Sequence, residues 1–310
     1  MYHHFLINPA AGRGSASEYV AHIQEYFQSD RAAYTIFISR GPGDIARYVK
    51  EIASQNHAPR RFYACGGDGT LFELINSAAA FPHVSVGIIP TGTGNDWIRN
   101  FDHPSAFRQI GAQVEATATP IDLIRANQHY ALNMLNIGFD CNVVYAASQL
   151  KKRPFLQGPL AYIAGIMQEL CHPMGTRLHI ALENEEPLSG EFLLCTIANG
   201  SFCGGGFQSS PRAQINDELL DIAVIQKISR LRFLSLLPSY RSGRYLSQQE
   251  GAGLLFYRQC RQLTISADTP FNVSLDGEIF SYTSLHIQLL PQALSFLIPK
   301  GSAIRNLSHE

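Results

Sequence analysis

The stretch Cys65-Gly66-Gly67-Asp68-Gly69-Thr70 sets three glycines and one carboxylate between an apolar run and a helical pattern. Residues 61–65 have the apolar character of a buried strand. After the stretch, apolar side chains recur on one helical face, at Leu71, Leu74, Ile75 and Ala78. Thr70 and Glu73 match a capping box, which predicts that the helix begins at Thr70. The sequence therefore predicts a strand, a glycine turn and a helix in this order.

This arrangement is chemically suited to phosphate. Glycines let the backbone approach a phosphate closely, and a helix N-terminus offers free N–H groups. A carboxylate at Asp68 would repel phosphates unless a cation stood between them. The pattern therefore favours a magnesium–nucleotide site over a plain anion site, and an ordinary surface turn is the alternative.

Two further glycine loops follow strand-like runs. One is Thr91-Gly92-Thr93-Gly94-Asn95-Asp96 after residues 84–90, and the other is Asn8-Pro9-Ala10-Ala11-Gly12 after the first apolar run. A capping box of Ser15 and Glu18 predicts a helix beginning near Ser15. Strands and helices alternate to about residue 110, which predicts a doubly wound parallel sheet. Loops after successive parallel strands meet at one sheet edge, where α/β folds bind ligands.

Composition narrows the class of protein. The chain has 310 residues, 45% of them hydrophobic, and a formal net charge of −1. This is enough for a large core in one or two domains, and the near-neutral charge argues against a nucleic-acid binder. Apolar runs are too short for a transmembrane helix, and no signal peptide is predicted. Six cysteines without metal-ligand spacing are typical of a reduced, cytoplasmic chain.

The second half has a different pattern. Its apolar segments are typical of antiparallel strands with short turns, at residues 178–182, 191–198, 219–225, 262–266 and 284–290. Helical patterns lie near residues 140–150, 160–171 and 229–248. We therefore predict a β-rich second domain with a few helices.

The ordered motifs resemble those of the diacylglycerol kinase catalytic-domain family. This family includes soluble bacterial lipid kinases and is related to the sphingosine and ceramide kinases. Besides the three glycine loops, the resemblance covers Asn199-Gly200 with Gly204-Gly205-Gly206, the stretch 216–221, and Leu275-Asp276-Gly277-Glu278. The GGDGT motif alone is shared with NAD kinases, whereas the ordered set is specific for lipid kinases.

The resemblance implies two domains. An ATP-binding α/β domain, similar to that of NAD kinases and lipid kinases, would span residues 1–125. A β-sandwich domain for the lipid substrate would span residues 126–291, and the segment 292–310 would return to the first domain. The implied reaction transfers the γ-phosphoryl of ATP, with Mg²⁺, to a lipid hydroxyl. The favoured acceptor is diacylglycerol, which would give phosphatidic acid for phospholipid biosynthesis.

The resemblance also assigns nucleotide and metal contacts. The nucleotide contacts would come from Asn8, Pro9, Ala10, Ala11, Gly12, Ser39, Gly66, Gly67, Asp68, Gly69, Thr70, Leu71, Phe72, Thr93 and Asn95. Asp68, Asp96 and Asp122 would hold the active-site Mg²⁺ through water, and we expect all three at loop ends. For Asp122, a solvated linker acid is the alternative.

A proton acceptor is also needed, because the acceptor hydroxyl loses its proton. The resemblance favours Glu278 in this role, with Asp276 beside it as an orienting or metal-linked acid and Asp68 at the phosphates. On an extended strand, residues 276 and 278 would face the same side. A hairpin turn at Asp276-Gly277 with two surface acids is the alternative.

A second, structural Mg²⁺ site is implied around Asp217, with the carbonyls of Gln214 and Leu219 as further ligands. This chain has Glu218 where the family usually has glycine. A Cβ raises the energy of a positive-φ conformation there, which weakens the expectation of this site.

The lipid partner has indirect support. Between residues 230 and 245, apolar side chains are interleaved with four arginines, and Lys151-Lys152-Arg153 adds charge. Such a stretch suits an anionic membrane surface, and a core-facing helix with a solvated basic face is the alternative. A kinase of a soluble hydroxyl, resembling NAD kinase, and a non-catalytic nucleotide-binding regulator are the competing functions. A sheet-edge homodimer stays open.

Overall fold

The computed structural model describes residues 1–28, 34–150, 159–183, 185–249 and 253–306. The described chain divides into two units. Unit 1 comprises Met1–Leu123 and Pro291–Asn306, and unit 2 comprises Ile124–Leu290. The basic stretch Lys151-Lys152-Arg153 lies outside the described residues. None of the described helices is long and apolar enough to cross a membrane.

Unit 1 is built on a parallel sheet. Its strands are β1 (Tyr2–Ile7), β2 (Tyr34–Ile38), β3 (Arg60–Gly66) and β4 (Val84–Pro90), in the order β2-β1-β3-β4. The α-helices are α1 (Tyr19–Tyr26), α2 (Asp44–Gln55), α3 (Asp68–Ala78) and α4 (Ile110–Val114). Residues Ser295 and Phe296 lie parallel to β4 and extend this sheet.

The central strands of unit 1 are buried on both faces, as is typical of a parallel sheet. Phe5 and Ile7 of β1 pack in one cluster with Tyr63 of β3 and Ile23 of α1, and all four are fully buried. Burial of each such side chain contributes about 1.5–3 kcal/mol. These contacts fix where the strands end and therefore where the three glycine loops lie.

Both predicted capping boxes are wrong. A 3₁₀ segment, Ala11–Glu18, precedes α1, which begins only at Tyr19, and α3 begins at Asp68 after the N-cap Gly67. Neither helix has a side-chain N-cap hydrogen bond. Instead, Glu73 of α3 accepts a hydrogen bond from the backbone N–H of Ala46 (3.0 Å), which ties α3 to α2.

Unit 2 is mainly antiparallel. After β5 (Thr117–Ala126), its strands are β6 (His129–Ala131), β7 (Met134–Gly138), β8 (Thr176–Leu182), β9 (Leu188–Ala198), β10 (Leu220–Gln226), β11 (Leu255–Cys260), β12 (Gln262–Leu275) and β13 (Glu278–Ile298). They pair in the order β11-β10-β9-β7-β12-β13, and β8 pairs with both β9 and β12. The α-helices are α5 (Phe139–Leu150), α6 (Pro159–Glu169), α7 (Arg230–Arg241) and α8 (Tyr245–Gln249).

Helix α7 packs its aromatic side chains into the core of unit 2. Phe233 and Tyr240 are buried, and the ring of Phe233 lies 4.4 Å from that of Phe139 in α5. The hydroxyl of Tyr240 donates a hydrogen bond to the buried carboxylate of Asp140, in the first turn of α5. Its arginines remain exposed. Helix α7 therefore has a core-facing side, as the alternative predicts, and an exposed side on which Leu231 and Leu234 lie with the arginines. Contact of this side with a membrane surface stays a prediction.

The Asp140 carboxylate gives unit 2 a pH-dependent stability. Burial raises its pKa to about 6 from 3.8, against the opposing effect of the Tyr240 hydrogen bond. The folded state then binds more protons than the unfolded state between about pH 4 and 6, so stability falls as pH rises through this range. We expect Asp140→Asn, which keeps an oxygen for Tyr240, to be more stable than the wild type at pH 7.5, by up to about 3 kcal/mol.

Urea-induced unfolding at pH 4.5 and pH 7.5 measures this difference, which should shrink at the lower pH. Asp102→Asn, in unit 1 with a half-exposed side chain, controls for loss of one carboxylate. A pH-independent difference for Asp140→Asn would contradict the raised pKa.

Candidate functional site

Four loops of unit 1 leave the sheet at the same edge. Asn8, Ser39, Gly67 and Thr91 each follow directly on β1, β2, β3 and β4, which run parallel. The backbone N–H of Ser39 donates to Ile7 (2.9 Å), which joins the end of β2 to that of β1. The carboxyl edge of such a sheet is where α/β folds bind ligands.

Asn8 links the first loop to the glycine turn after β3. Its side-chain Nδ2 donates to Oγ1 of Thr70 (2.9 Å), and its backbone N–H donates to Cys65 (3.0 Å). Its Oδ1 accepts from the N–H of Ala10 (3.1 Å), which shapes the loop that follows. The Thr70 hydroxyl is therefore engaged by another loop, and Thr70 lies inside α3 rather than at its N-cap.

The glycines are required by close backbone contacts. A Cβ on Gly12, which has φ +57°, would lie 2.0 Å from the carbonyl oxygen of Thr91. A Cβ on Gly92 would lie 2.5 Å from the Cα of Gly67. The N–H of Thr91 also donates to the carbonyl of Gly66 (2.8 Å). The three loops therefore pack backbone against backbone, with no space for side chains between them.

We expect Gly92→Ala to destabilise the protein by about 1–3 kcal/mol, because the new methyl group overlaps the backbone at Gly67. Urea-induced unfolding measures this loss. Gly41→Ala is the matched control, because a Cβ on Gly41 would meet no atom within 4 Å. Equal stability of the two variants would show that the loops are not held at this distance.

Two of the predicted acids, Asp68 and Asp96, lie on either side of Gly94, a residue of the loop that follows β4. Asp68 lies in the first turn of α3, where a negative charge is favourable. A Cβ built on Gly94 would lie 3.0 Å from Oδ2 of Asp68 and 3.7 Å from Oδ2 of Asp96. The Nε of Arg99 lies 3.4 Å from Oδ1 of Asp96. The structure thus brings Asp68 and Asp96 together across Gly94.

Two buried oxygens on the loop after β4 lack a hydrogen-bond partner among the described residues. They are Oγ1 of Thr91 and Oδ1 of Asn95. Asn95 has φ +52°, and its Nδ2 donates to the carbonyl of Gly92 (2.6 Å). Buried polar atoms normally have partners. A phosphate could accept from the Thr91 hydroxyl, and a ribose hydroxyl or a metal-bound water could donate to Asn95. The donor set therefore fits a magnesium nucleotide.

Thr91 was not among the predicted contacts, although it stands within the quoted motif. Of the predicted ones, Leu71 and Phe72 lie within α3 and have buried side chains. Thr93 and Gly69 are exposed, as are Pro9 and Ala10 of the first loop, whereas Ala11 is half-buried. Ser39 is 6% exposed.

Asp122 does not lie at a loop end. It sits within β5, is completely buried, and its Oδ1 accepts from the backbone N–H of Gln292 (2.8 Å). Both the loop-end expectation and the alternative of a solvated linker acid are wrong for this residue. Among the described residues, no three His, Cys, Asp or Glu side chains come close enough to hold a metal ion together. A cation at Asp68 and Asp96 would therefore need water as further ligands.

In unit 2, Asp276 and Gly277 form the turn between β12 and β13. Both have positive φ, +48° and +96°, and Leu275 pairs with Glu278 across the turn. The expectation that residues 276 and 278 share one side of a strand is wrong, because Asp276 is not extended. Glu278, the first residue of β13, is exposed.

The Asp276 carboxylate is not a free surface acid. It accepts hydrogen bonds from the backbone N–H groups of Leu132 (2.6 Å), Asn133 (3.0 Å) and Met134 (2.9 Å). Burial raises its pKa to about 6, and these hydrogen bonds oppose the rise. The carboxylate therefore anchors the turn that carries Glu278 to the loop before β7.

Asn199 holds the same loop from the other side. Its Nδ2 donates to the carbonyl of Leu132 (2.7 Å), and its backbone N–H donates to Asn133 (2.9 Å). Asn199 is completely buried. The sequence singled out Asn199-Gly200 as a motif without a role, and its observed role is to fix the loop that anchors Asp276.

The Asp217 loop keeps the backbone that a glycine would favour. Glu218 has φ +63°, and its Oε2 pairs with Arg261 (3.0 Å). Oδ1 of Asp217 accepts from the N–H of Leu219 (3.1 Å), and Gln214 is half-buried nearby in sequence. Glu218 therefore adopts the left-handed conformation in which a Cβ is strained, and the loop keeps this conformation without a glycine.

Two family models match this chain, one in its first part and one in its second. Residues 3–126 match the family described as the diacylglycerol kinase catalytic domain. Residues 133–298 match the family described as the YegS C-terminal NAD kinase beta sandwich-like domain. The predicted fold class, an α/β domain followed by a β-sandwich domain, is confirmed.

Relatives cover most of the chain. A protein of Alcanivorax borkumensis named as a YegS-like lipid kinase is 28% identical over 84% of this chain and 85% of its own. A protein of Staphylococcus aureus strain JH9, named as a lipid kinase, is 27% identical over 85% of this chain and 86% of its own length.

Solved structures show the same fold. A Bacillus anthracis protein described as a diacylglycerol kinase has a TM-score of 0.75 at 22% identity, over 96% of this chain and 97% of that one. An NAD kinase from Archaeoglobus fulgidus in complex with ATP has a TM-score of 0.50 at 13% identity. The match covers 96% of this chain and 94% of that one.

Proposed function

Because this chain belongs to the diacylglycerol kinase catalytic-domain family with a YegS-type C-terminal domain, we propose that it is an ATP- and Mg²⁺-dependent lipid kinase. It transfers the γ-phosphoryl of ATP to a lipid hydroxyl, most favourably that of diacylglycerol, giving phosphatidic acid. Unit 1 is the ATP-binding unit in this proposal, and unit 2 provides the lipid-binding surface. The enzyme works in the cytoplasm and meets its substrate at the membrane surface.

The proposal depends mainly on one observation, the pair of carboxylates of Asp68 and Asp96 among the closely packed glycine loops. Asp68 and Asp96 flank Gly94, and the loops leave no side chain between them. The oxygens of Thr91 and Asn95 that have no hydrogen-bond partner in the described part of the chain lie on the same loop. A plain phosphate site would not place two acids there, because like charges repel. A nucleotide with a bound divalent cation resolves the conflict.

Phosphoryl transfer depends mainly on positioning and on neutralisation of charge. Asp68 and Asp96 would hold Mg²⁺ through water, and the ion would supply the positive charge that offsets the phosphate oxygens. The N–H groups at the start of α3 and the Thr91 hydroxyl orient the triphosphate. Asp122, the third predicted acid, would act on the Mg²⁺ only through water, since its carboxylate is buried and accepts from Gln292 inside the fold.

Glu278 is the proposed proton acceptor for the lipid hydroxyl. It is exposed, and the turn before it is anchored through Asp276 to three backbone N–H groups. An exposed carboxylate on an anchored turn can reach an incoming hydroxyl without rebuilding the loop. Asp276 itself is a positioning residue, since its oxygens are already engaged.

The Asp217 loop is a second proposed Mg²⁺ site of structural type, with carbonyls of Gln214 and Leu219. Oxygen ligands suit Mg²⁺, and the left-handed conformation at Glu218 retains the loop. Binding of Mg²⁺ there should raise the thermal unfolding temperature even without ATP.

The test is transfer of label from γ-³²P-ATP to a panel of lipids in detergent micelles and, in a parallel reaction, to NAD, with and without Mg²⁺. The panel contains diacylglycerol, a sphingoid base, ceramide, phosphatidylglycerol and undecaprenol. Label on at least one lipid supports the proposal and names the substrate. Label on NAD but on no lipid would replace it with a kinase of a soluble hydroxyl. ATP binding without any transfer would indicate a regulator.

A further inference from the structure

The loop after β4 leads directly into a short 3₁₀ turn, Trp97–Asn100, whose third residue is Arg99. The other three side chains of this turn are buried in unit 1. The ring of Trp97 packs edge-on against the rings of Phe101 (5.6 Å) and Phe296 (5.4 Å). The core of unit 1 therefore fixes the backbone on which the partly exposed Arg99 stands.

Arg99 lies beside the Asp96 carboxylate but makes no hydrogen bond to it. Its Nε is 3.4 Å from Oδ1 of Asp96, and its backbone N–H donates to the carbonyl of Asp96 (3.1 Å). The Nε atom is buried and has no hydrogen-bond partner in the described part of the chain, although 42% of the side chain is exposed. Buried N–H groups normally have a partner. Arg99 therefore has guanidinium donors to offer to a ligand at the loop after β4.

The glycine loops of unit 1 have few positive charges for a triphosphate. Lysine is absent from the sequence of all four loops and of the turns that follow them, at residues 8–18, 39–44, 66–72 and 91–100. In P-loop enzymes a lysine contacts the β- and γ-phosphates. Arg40, after β2, is exposed, whereas Arg99 adjoins Asp96 of the carboxylate pair. A guanidinium suits this place, because its N–H groups can bind two phosphate oxygens at once.

We propose that Arg99 binds the β- and γ-phosphates of the nucleotide and is a catalytic residue of this site. It donates hydrogen bonds to phosphate oxygens and takes no part in proton transfer. The proposal rests on the proposed function for the identity of the nucleotide, but phosphate binding requires no transfer. The guanidinium adds positive charge where Asp68 and Asp96 would hold Mg²⁺, so it stabilises the charge of the same phosphate oxygens. The ion pair with Asp96 keeps it beside the loop before the nucleotide binds.

The competing explanation is an ion pair that only orients Asp96. Arg99 and Asp96 are three residues apart, and the chain offers a second pair of this spacing, Arg47 with Asp44 in α2. Arg47→Gln removes the same charge from such a pair outside the loop after β4. It is therefore the matched control for Arg99→Gln.

The first experiment measures nucleotide binding by isothermal titration calorimetry in EDTA. Arg99→Gln should weaken ATP binding at least about tenfold, as expected for loss of a charged hydrogen bond. AMP, which lacks the β- and γ-phosphates, should bind Arg99→Gln within about twofold of the wild type. Arg47→Gln should also bind ATP within about twofold of the wild type. Wild-type ATP affinity for Arg99→Gln would overturn the proposal, as would an equal loss for ATP and AMP.

The second experiment is a double-mutant cycle with Asp96→Asn, which removes the charge that faces Arg99. A phosphate contact predicts that Arg99→Gln still weakens ATP binding at least about tenfold in the Asp96→Asn background. A residue that acts only through Asp96 would have no effect there, because its partner charge is already absent. That result would overturn the proposal.

Far-ultraviolet circular dichroism and thermal unfolding establish that each variant is folded. Loss of a partly exposed ion pair has little effect on stability, so we expect Arg99→Gln to fold. If it does not, Arg99→Met keeps the apolar stem of the side chain and replaces it in both experiments.

Failure of the two proposals would differ. ATP binding that depends on Arg99, without label on any lipid or on NAD, would reject the kinase and leave the role of Arg99 in phosphate binding. Lipid phosphorylation by Arg99→Gln with the wild-type kcat/KM for magnesium ATP would keep the kinase and reject the role of Arg99. A wild-type protein that binds no ATP would overturn both.

Discussion

Asp68→Asn is expected to lower kcat/KM for magnesium ATP by about 10²–10³-fold, the usual effect of removing one group that stabilises transition-state charge. The carboxylate lies in the first turn of α3 and faces Asp96 across Gly94. The substitution keeps the shape and removes the charge. Initial rates of lipid phosphorylation measure the loss, with the lipid that the panel identifies.

Measurement of ATP binding is a second test of Asp68, because here the substitution is expected to increase affinity for free ATP rather than lower activity. Without a divalent cation the carboxylate repels the triphosphate, so Asp68→Asn should bind free ATP in EDTA at least about threefold more tightly than the wild type. With Mg²⁺ the order should reverse. Isothermal titration calorimetry under both conditions measures this change.

The matched control for Asp68 is Asp44→Asn. Asp44 begins α2 as Asp68 begins α3, and asparagine keeps an oxygen for the N–H of Arg40. Its rates should stay within about twofold of the wild type, as is usual away from a site. An Asp68→Asn enzyme with wild-type rates, or with weaker binding of free ATP, would remove Asp68 from the magnesium site.

Glu278→Gln is expected to lower kcat by about 10²–10⁴-fold, the usual contribution of a general base. The amide cannot take a proton at neutral pH. The affinity for ATP should not change, because Glu278 is assigned to the lipid hydroxyl and not to the nucleotide. Steady-state rates at saturating lipid, together with the calorimetric Kd for ATP, separate these two effects.

Glu185→Gln is the control for Glu278, since Glu185 is an exposed acid of unit 2 paired with Arg258 (3.1 Å). Loss of an exposed ion pair has little effect on stability. A Glu278→Gln enzyme that turns over like Glu185→Gln would show that another group, or bulk water, accepts the proton.

The glycine loops were predictable because their chemistry is local. Each loop follows an apolar run, and β1, β3 and β4 were expected from those runs alone. Of the strands of unit 2, β8, β9 and β10 and parts of β12 and β13 were predicted, whereas β6, β7 and β11 were not. With three residues, β6 is too short for a periodic signal, and β7 is buried throughout and does not alternate.

The errors arose where long-range contacts override local patterns. Thr70 and Glu73 have the spacing of a capping box, but Asn8 and Ala46 occupy their polar atoms. Asp276 has the spacing of a strand residue, but Asp-Gly is also a hairpin turn signal. Its three N–H partners lie more than 140 residues away and leave no trace in the local sequence.

Unit 1 is assembled from two stretches that are far apart in the chain. Residues Pro291–Asn306 belong to it, and Ser295 and Phe296 line the edge of β4. During synthesis, the ribosome therefore delivers the neighbour of β4 only after all of unit 2. Until then the nascent protein carries an unpaired β4 edge, which can pair with other chains. Its first 123 residues would be expected to need a chaperone while translation continues.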